Sequence, residues 1–101
     1  MVFFVTTPNF EVAEKLAKEI IEKKIAACVN IVPNITSVYR WKSNIEIDRE
    51  CLMIIKTGSN RSTILKDFIK NHHPYENPEC ISFAVESGLP PYLQWIIESV
   101  K

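Results

Sequence analysis

Apolar and polar residues repeat along this chain with two different periods, and the switches between them mark out its elements. Val2-Phe3-Phe4-Val5, closed by Thr6-Thr7-Pro8-Asn9, reads as a short buried strand. From Phe10 to about Lys24, the residues Ala13, Leu16, Ala17, Ile20 and Ile21 recur at helical spacing, with Asn9 as N-cap and Glu11 in the first turn. The outer side of this helix pairs Glu11 with Lys15, Glu14 with Lys18 and Glu19 with Lys23, a solvated face. Two long apolar strands follow, Ala27 to Trp41 and Ile45 to Thr57, joined by Lys42-Ser43-Asn44, a polar connection of hairpin length. Pro33 cannot donate to a ladder and predicts a bulge or an edge position. Gly58-Ser59-Asn60 offers caps for a helix over about Arg61 to Asn71, with Ile64, Leu65, Phe68 and Ile69 as its buried stripe. His72-His73-Pro74 stops that helix, because proline pushes its predecessor out of the helical region. Cys80 to Glu86 alternates as a strand, Ser87-Gly88-Leu89-Pro90-Pro91 turns the chain, and a last helix carries Leu93, Ile96, Ile97 and Val100.

This order predicts one α+β domain over residues 1–101: a ferredoxin-like βαββαβ protomer with a long hairpin and a C-terminal helix. A strand of about 15 residues reaches about 50 Å when fully extended. A compact domain of this length has a radius of gyration near 13 Å and is only about 33 Å across. The hairpin therefore outruns its own domain. Its far end holds Val38, Tyr39, Trp41, Ile45 and Ile47, which this chain alone has little to cover with, so a homo-oligomer is expected.

Composition narrows the function classes. Twelve Lys and Arg balance twelve Asp and Glu, which removes the electrostatic case for nucleic acid or an anionic membrane surface. No apolar run approaches the roughly 20 residues of a membrane helix. Met1 to Pro8 has an apolar start without a basic segment or a long apolar stretch, so no secretory signal is read there. The chain has three cysteines, an odd number, all inside strand-like runs. They are read as free thiols in a reducing compartment, and the expected location is the cytoplasm.

Several stretches together carry a family resemblance. They are Thr6-Thr7-Pro8, Ala26-Ala27-Cys28-Val29-Asn30-Ile31-Val32-Pro33, Ser37-Val38-Tyr39-Arg40-Trp41, Ile54-Ile55-Lys56-Thr57, His73-Pro74-Tyr75-Glu76 and Tyr92-Leu93-Gln94-Trp95-Ile96. In this order and spacing the chain resembles the CutA family, the divalent-cation tolerance proteins. The resemblance implies a homotrimer akin in architecture to PII signalling proteins, with the hairpin reaching a neighbour. It also implies a link to copper tolerance and binding of divalent cations, Cu(II) above all. Ser43 departs from the family's usual hairpin glycine, and Ser82 and Ala84 from its usual Ala and Pro.

Candidate chemistry concentrates in His73-Pro74-Tyr75-Glu76. A neutral imidazole and a carboxylate suit Cu(II), with His73 the first metal candidate and Glu76 and Cys28 behind it. The competing account is a histidine that caps a helix end and a tyrosine that packs. Lys56, at the end of Leu52-Met53-Ile54-Ile55, together with Tyr75, Tyr39 and Trp41, is a candidate pocket for a small organic or anionic ligand. A plain Lys56–Glu76 ion pair is the simpler alternative. No nucleophile–base set, phosphate-cradling glycine loop or paired-carboxylate motif is legible, so the chain is not expected to be an enzyme.

Overall fold

A computed structural model describes residues 1–101. The elements in order are β1 (Val2–Thr7), α1 (Phe10–Glu22), β2 (Cys28–Trp41), β3 (Asn44–Lys56), α2 (Ser62–His72), β4 (Ile81–Phe83) and α3 (Pro90–Ser99). A short 3₁₀ turn, Ser59–Arg61, leads into α2. The four strands form one antiparallel sheet in the order β2-β3-β1-β4. The expected ferredoxin-like arrangement is present.

Alternation sets the two faces of the sheet. Phe3, Val5 and Thr7 of β1 and Cys51, Met53 and Ile55 of β3 are buried, while Val2, Phe4 and Thr6 and Leu52, Ile54 and Lys56 between and beside them are only half-buried. Against the buried face lie Ala13, Leu16 and Ile20 of α1 and Leu65, Phe68 and Ile69 of α2. Ile21 and Ile64, assigned to the helix stripes from spacing, are exposed at the margins of those stripes. Asn9 caps α1 as expected, its side-chain oxygen accepting from Val12 N–H at 2.9 Å. The helix closes through Ile25 N–H to Ile20 O at 2.9 Å and Lys24 N–H to Ile21 O at 3.1 Å, a Schellman closure that puts Lys24 at φ 56°. Of the three charge pairs read on its outer face, only Glu14–Lys18 comes within ion-pair distance, at 3.9 Å.

Two expectations needed correction. The residues Gly58-Ser59-Asn60 give α2 no side-chain cap; the 3₁₀ turn runs into the helix instead. Arg61 donates from Nε and Nη2 to Val100 O at 3.2 and 2.7 Å, tying the end of α3 to this turn. The last strand is Ile81–Phe83 rather than Cys80–Glu86. Its register matches Val2 with Phe83, so residues beyond Phe83 have run past the end of β1.

The hairpin behaves as its pattern requires. Between Val32 and Ile35 the β2 strand spends one more residue than β3, a bulge that contains Pro33 and places Asn34 at φ 60°. β1 stops at Thr7 opposite Cys51, yet the β2–β3 ladder runs on to Trp41 opposite Asn44. The chain measures 45 × 25 × 22 Å. At the far end Val38, Ile45 and Ile47 are 64%, 68% and 67% exposed. Opposed residues share a face, which gives this segment two unlike sides. One carries Val38, Arg40, Ile45, Ile47 and Arg49; the other carries Tyr39, Trp41, Glu46, Asp48 and Glu50.

The tip turn has Lys42 at φ 48° and Ser43 at φ 69°, the left-handed pair that a two-residue hairpin loop demands. A non-glycine residue there costs about 1–2 kcal/mol, partly offset by the chain entropy that glycine loses on folding. Ser43→Gly should therefore raise unfolding free energy by up to about 1 kcal/mol. Chemical denaturation measures it; an unchanged or lower midpoint would contradict the strained turn.

Candidate functional site

His73 follows α2, and the proline after it fixes its extended backbone at φ −77°, ψ 139°. Its N–H closes the helix on Ile69 O at 2.9 Å. The residue is 8% exposed, and its ring is bonded on both sides. Nε2 lies 2.7 Å from Thr6 O, and Nδ1 lies 3.0 Å from Tyr75 N. A carbonyl can only accept and a backbone N–H can only donate, so Nε2 carries the proton and Nδ1 accepts. His73 therefore latches the end of β1 to the segment after α2. Neither nitrogen is free for a metal, which could bind Nδ1 only by displacing Tyr75 N–H.

The other members of the proposed metal set lie apart from it. Cys28 is half-buried on β2 opposite Lys56, its Sγ 3.8 Å from Asn30 Oδ1. Glu76 is exposed. No three His, Cys, Asp or Glu side chains gather as a metal-holding group. Within one chain, the residues present do not fit a metal centre at His73.

The candidate pocket divides in the same way. Lys56 Nζ lies over the ring of Tyr92 at 5.9 Å, and Tyr92 packs on Trp95 with ring centroids 5.5 Å apart. Lys56 alternates with Ile55, so this contact brings α3 to the sheet face opposite the core. The alternative Lys56–Glu76 ion pair is not formed; the ion pairs in the chain are Glu14–Lys18 and Glu98–Lys101. Tyr75 instead donates its phenol O–H to Glu50 Oε2 at 2.7 Å. Glu50 and Lys56 are separated by about 20 Å along β3 at strand rise. Lys56 and Tyr75 thus do not line one pocket in a single chain, whereas Tyr39, Trp41 and Tyr75 belong to the same side of the hairpin.

That side is a row of phenols and carboxylates. Tyr39 O–H donates to Asp48 Oδ2 as Tyr75 does to Glu50. The hydrogen bond to Asp48 pushes the Tyr39 phenol up to about 12, with desolvation and the charges of Asp48, Glu46 and Glu50 adding to it. Burial raises Tyr75 further, helped by its bond to Glu50, and burial with the Glu50 charge raises Glu79. Sequence reasoning missed Asp48 and Glu50, although acids at every second residue of Glu46-Ile47-Asp48-Arg49-Glu50 already mark one strand face. It also passed over a groove of about 250 Å³ between the helices, lined by Val12, Lys15, Leu16, Glu19, His72 and Pro74.

A phenol whose ionisation is held above its unfolded value stabilises the fold while protonated. That stability is complete below the ordinary value of 10.0 and is lost as pH rises through the folded value, about 12 for Tyr39. Melting temperature should fall between about pH 10 and 12 and fall less steeply in Tyr39→Phe; equal slopes would contradict the Tyr39–Asp48 bond. Tyr75→Phe strands the buried Glu50 carboxylate and should cost about 1–3 kcal/mol at neutral pH, measured by denaturation.

Comparison with known proteins agrees with this architecture. Residues 1–99 match the family model described as CutA1 divalent ion tolerance protein. Mouse Protein CutA is 52% identical over 93 residues, covering 92% of this chain and 52% of that protein, so the chain spans about half the length of this curated relative. The divalent-cation tolerance protein CutA of Thermus thermophilus is 41% identical over 98 residues, covering 97% of this chain and 95% of the other. The solved structure of the divalent cation tolerance protein from Thermus thermophilus superposes with a TM-score of 0.96 at 40% identity, over 99% of this chain and 97% of that one. With the ferredoxin-like sheet, the overlong hairpin and the family model in agreement, the chain belongs to the CutA1 divalent ion tolerance protein family.

Proposed function

We propose that copies of this chain assemble through the β2–β3 hairpin into a homotrimer that takes part in the cellular response to divalent cations, Cu(II) first among them. The observation that carries the assembly is the run of paired strand beyond the end of β1, with Val38, Ile45 and Ile47 bare on one side. Exposed apolar side chains concentrated on a projecting arm favour a partner surface. The unlike sides supply charge complementarity between copies, Arg40 and Arg49 on one, Glu46 and Asp48 on the other. The number three comes from the family, as does the cation role. Three free thiols support a reducing compartment, the cytoplasm in the simplest case.

His73 enters this proposal as a latch. Of the metal donors first considered, Glu76 is the carboxylate on the surface, and Cys28 is a half-buried thiol on the edge strand β2. Either is open to an ion shared between copies. Lys56 and Tyr75 come together only if neighbouring subunits bring opposite ends of the sheet into one cleft.

Light scattering should give three times the protomer mass of 11.6 kDa. The double variant Ile45→Asp, Ile47→Asp should shift the mass toward that of the protomer. A wild-type protein that stays at 11.6 kDa in dilute solution would overturn the proposal.

A further inference from the structure

The sheet ends on two free edges of unlike length. With strands in the order β2-β3-β1-β4, the outer side of β2 has no ladder partner from Cys28 to Trp41, and neither has the outer side of β4. Such edges template pairing, and natural sheets blunt them with charges, proline or short strands. Pro33 and its bulge blunt β2 at one point. Beyond them, residues 35–41 keep β-branched and aromatic side chains with Arg40 as the only charge. Past β4, residues 84–89 belong to no strand and are all exposed, although Cys80 to Glu86 alternates as a strand does. A strand-patterned segment without a neighbour and a bare edge without a strand thus stand at opposite margins of one sheet.

We infer that β4 and its continuation to Glu86 add to the outer edge of β2, over residues 35–41, of a second copy. The inference rests on the assembly proposed above and names the surface that receives the arm. Neighbouring strands are antiparallel throughout, so β4 runs opposite to β2, and a copy placed beyond β2 continues the alternation of directions. The charges also match. Phe83 packs on Phe4, away from the core, so alternation puts Glu86 on the core side of its strand. Arg40 lies on that same side, because it pairs with Ile45, which alternates in step with the buried Met53. An arginine and a glutamate on facing strands attract. The continuation of β4 passes one end of the sheet and the hairpin passes the other. Pairing them staggers the copies, as strands must be staggered for a sheet to close on itself.

The test is hydrogen exchange of the assembled wild-type protein, read by mass spectrometry. Residues 84–86 make no backbone pair in their own chain. Their amides should exchange like a free chain's in the protomer, and about a hundredfold or more slowly in the assembly. Val85→Pro removes one N–H from this segment and should shift the mass toward the 11.6 kDa of the protomer, with circular dichroism unchanged. Arg40→Glu and Glu86→Arg should each weaken assembly by up to about fivefold per contact, and the double variant should recover it. A wild-type assembly whose residues 84–86 exchange like a free chain, or an assembly unaffected by Val85→Pro, would overturn this contact and leave the assembly standing. A double charge variant no tighter than the singles would overturn the pairing of these two strands. A wild-type protein that stays at 11.6 kDa would overturn contact and assembly together.

Discussion

The rest of the structure depends on a mismatch of strand lengths within one sheet. β1 ends at Thr7, opposite Cys51, while β3 and its partner continue to the turn at Lys42 and Ser43. Up to Cys51 the sheet is backed by two helices, and apolar burial holds it. Beyond that point only the backbone ladder and a few cross-strand pairs maintain the hairpin. Such a two-stranded ribbon is marginal in water by itself. The bulge at Pro33 and Asn34 lies where the two regimes meet and re-aims β2 as the support of β1 ends.

The latch at His73 guards the same boundary. It binds the carbonyl of Thr6, one residue before β1 ends, and through Tyr75 it reaches Glu50, the first residue past that end. The segment after α2 therefore seals the open corner where a buried carboxylate would otherwise meet water or stand unpaired. A histidine that does this structural work has no lone pair to spare.

The fold was legible because its signals are periodic. Ala13, Leu16 and Ile20 announce their face by spacing alone, and Pro33 announces its bulge by lacking an N–H. The ends of elements were less legible. Cys80 to Glu86 alternates throughout, yet only the residues opposite β1 become strand, since the number of partners is not encoded in the segment itself. The site was least legible. His73 and Glu76 are close in sequence and look like a ligand set, but the ring is consumed by Thr6, 67 residues away. Tyr75 likewise finds Glu50 across the fold. Contacts of that range leave no local trace.

The unlike sides of the hairpin also bear on symmetry. A two-fold dimer requires a patch to match itself, and a patch of Arg40, Arg49 and bare isoleucines facing its own copy sets like charges together. Copies that meet through opposite sides instead make a head-to-tail contact, which closes into a ring or propagates as a fibre. Ring closure then hangs on the angle at which the arm leaves the globule, and that angle is set at the bulge. Its geometry decides whether the same contact ends in a finite assembly or in an open polymer.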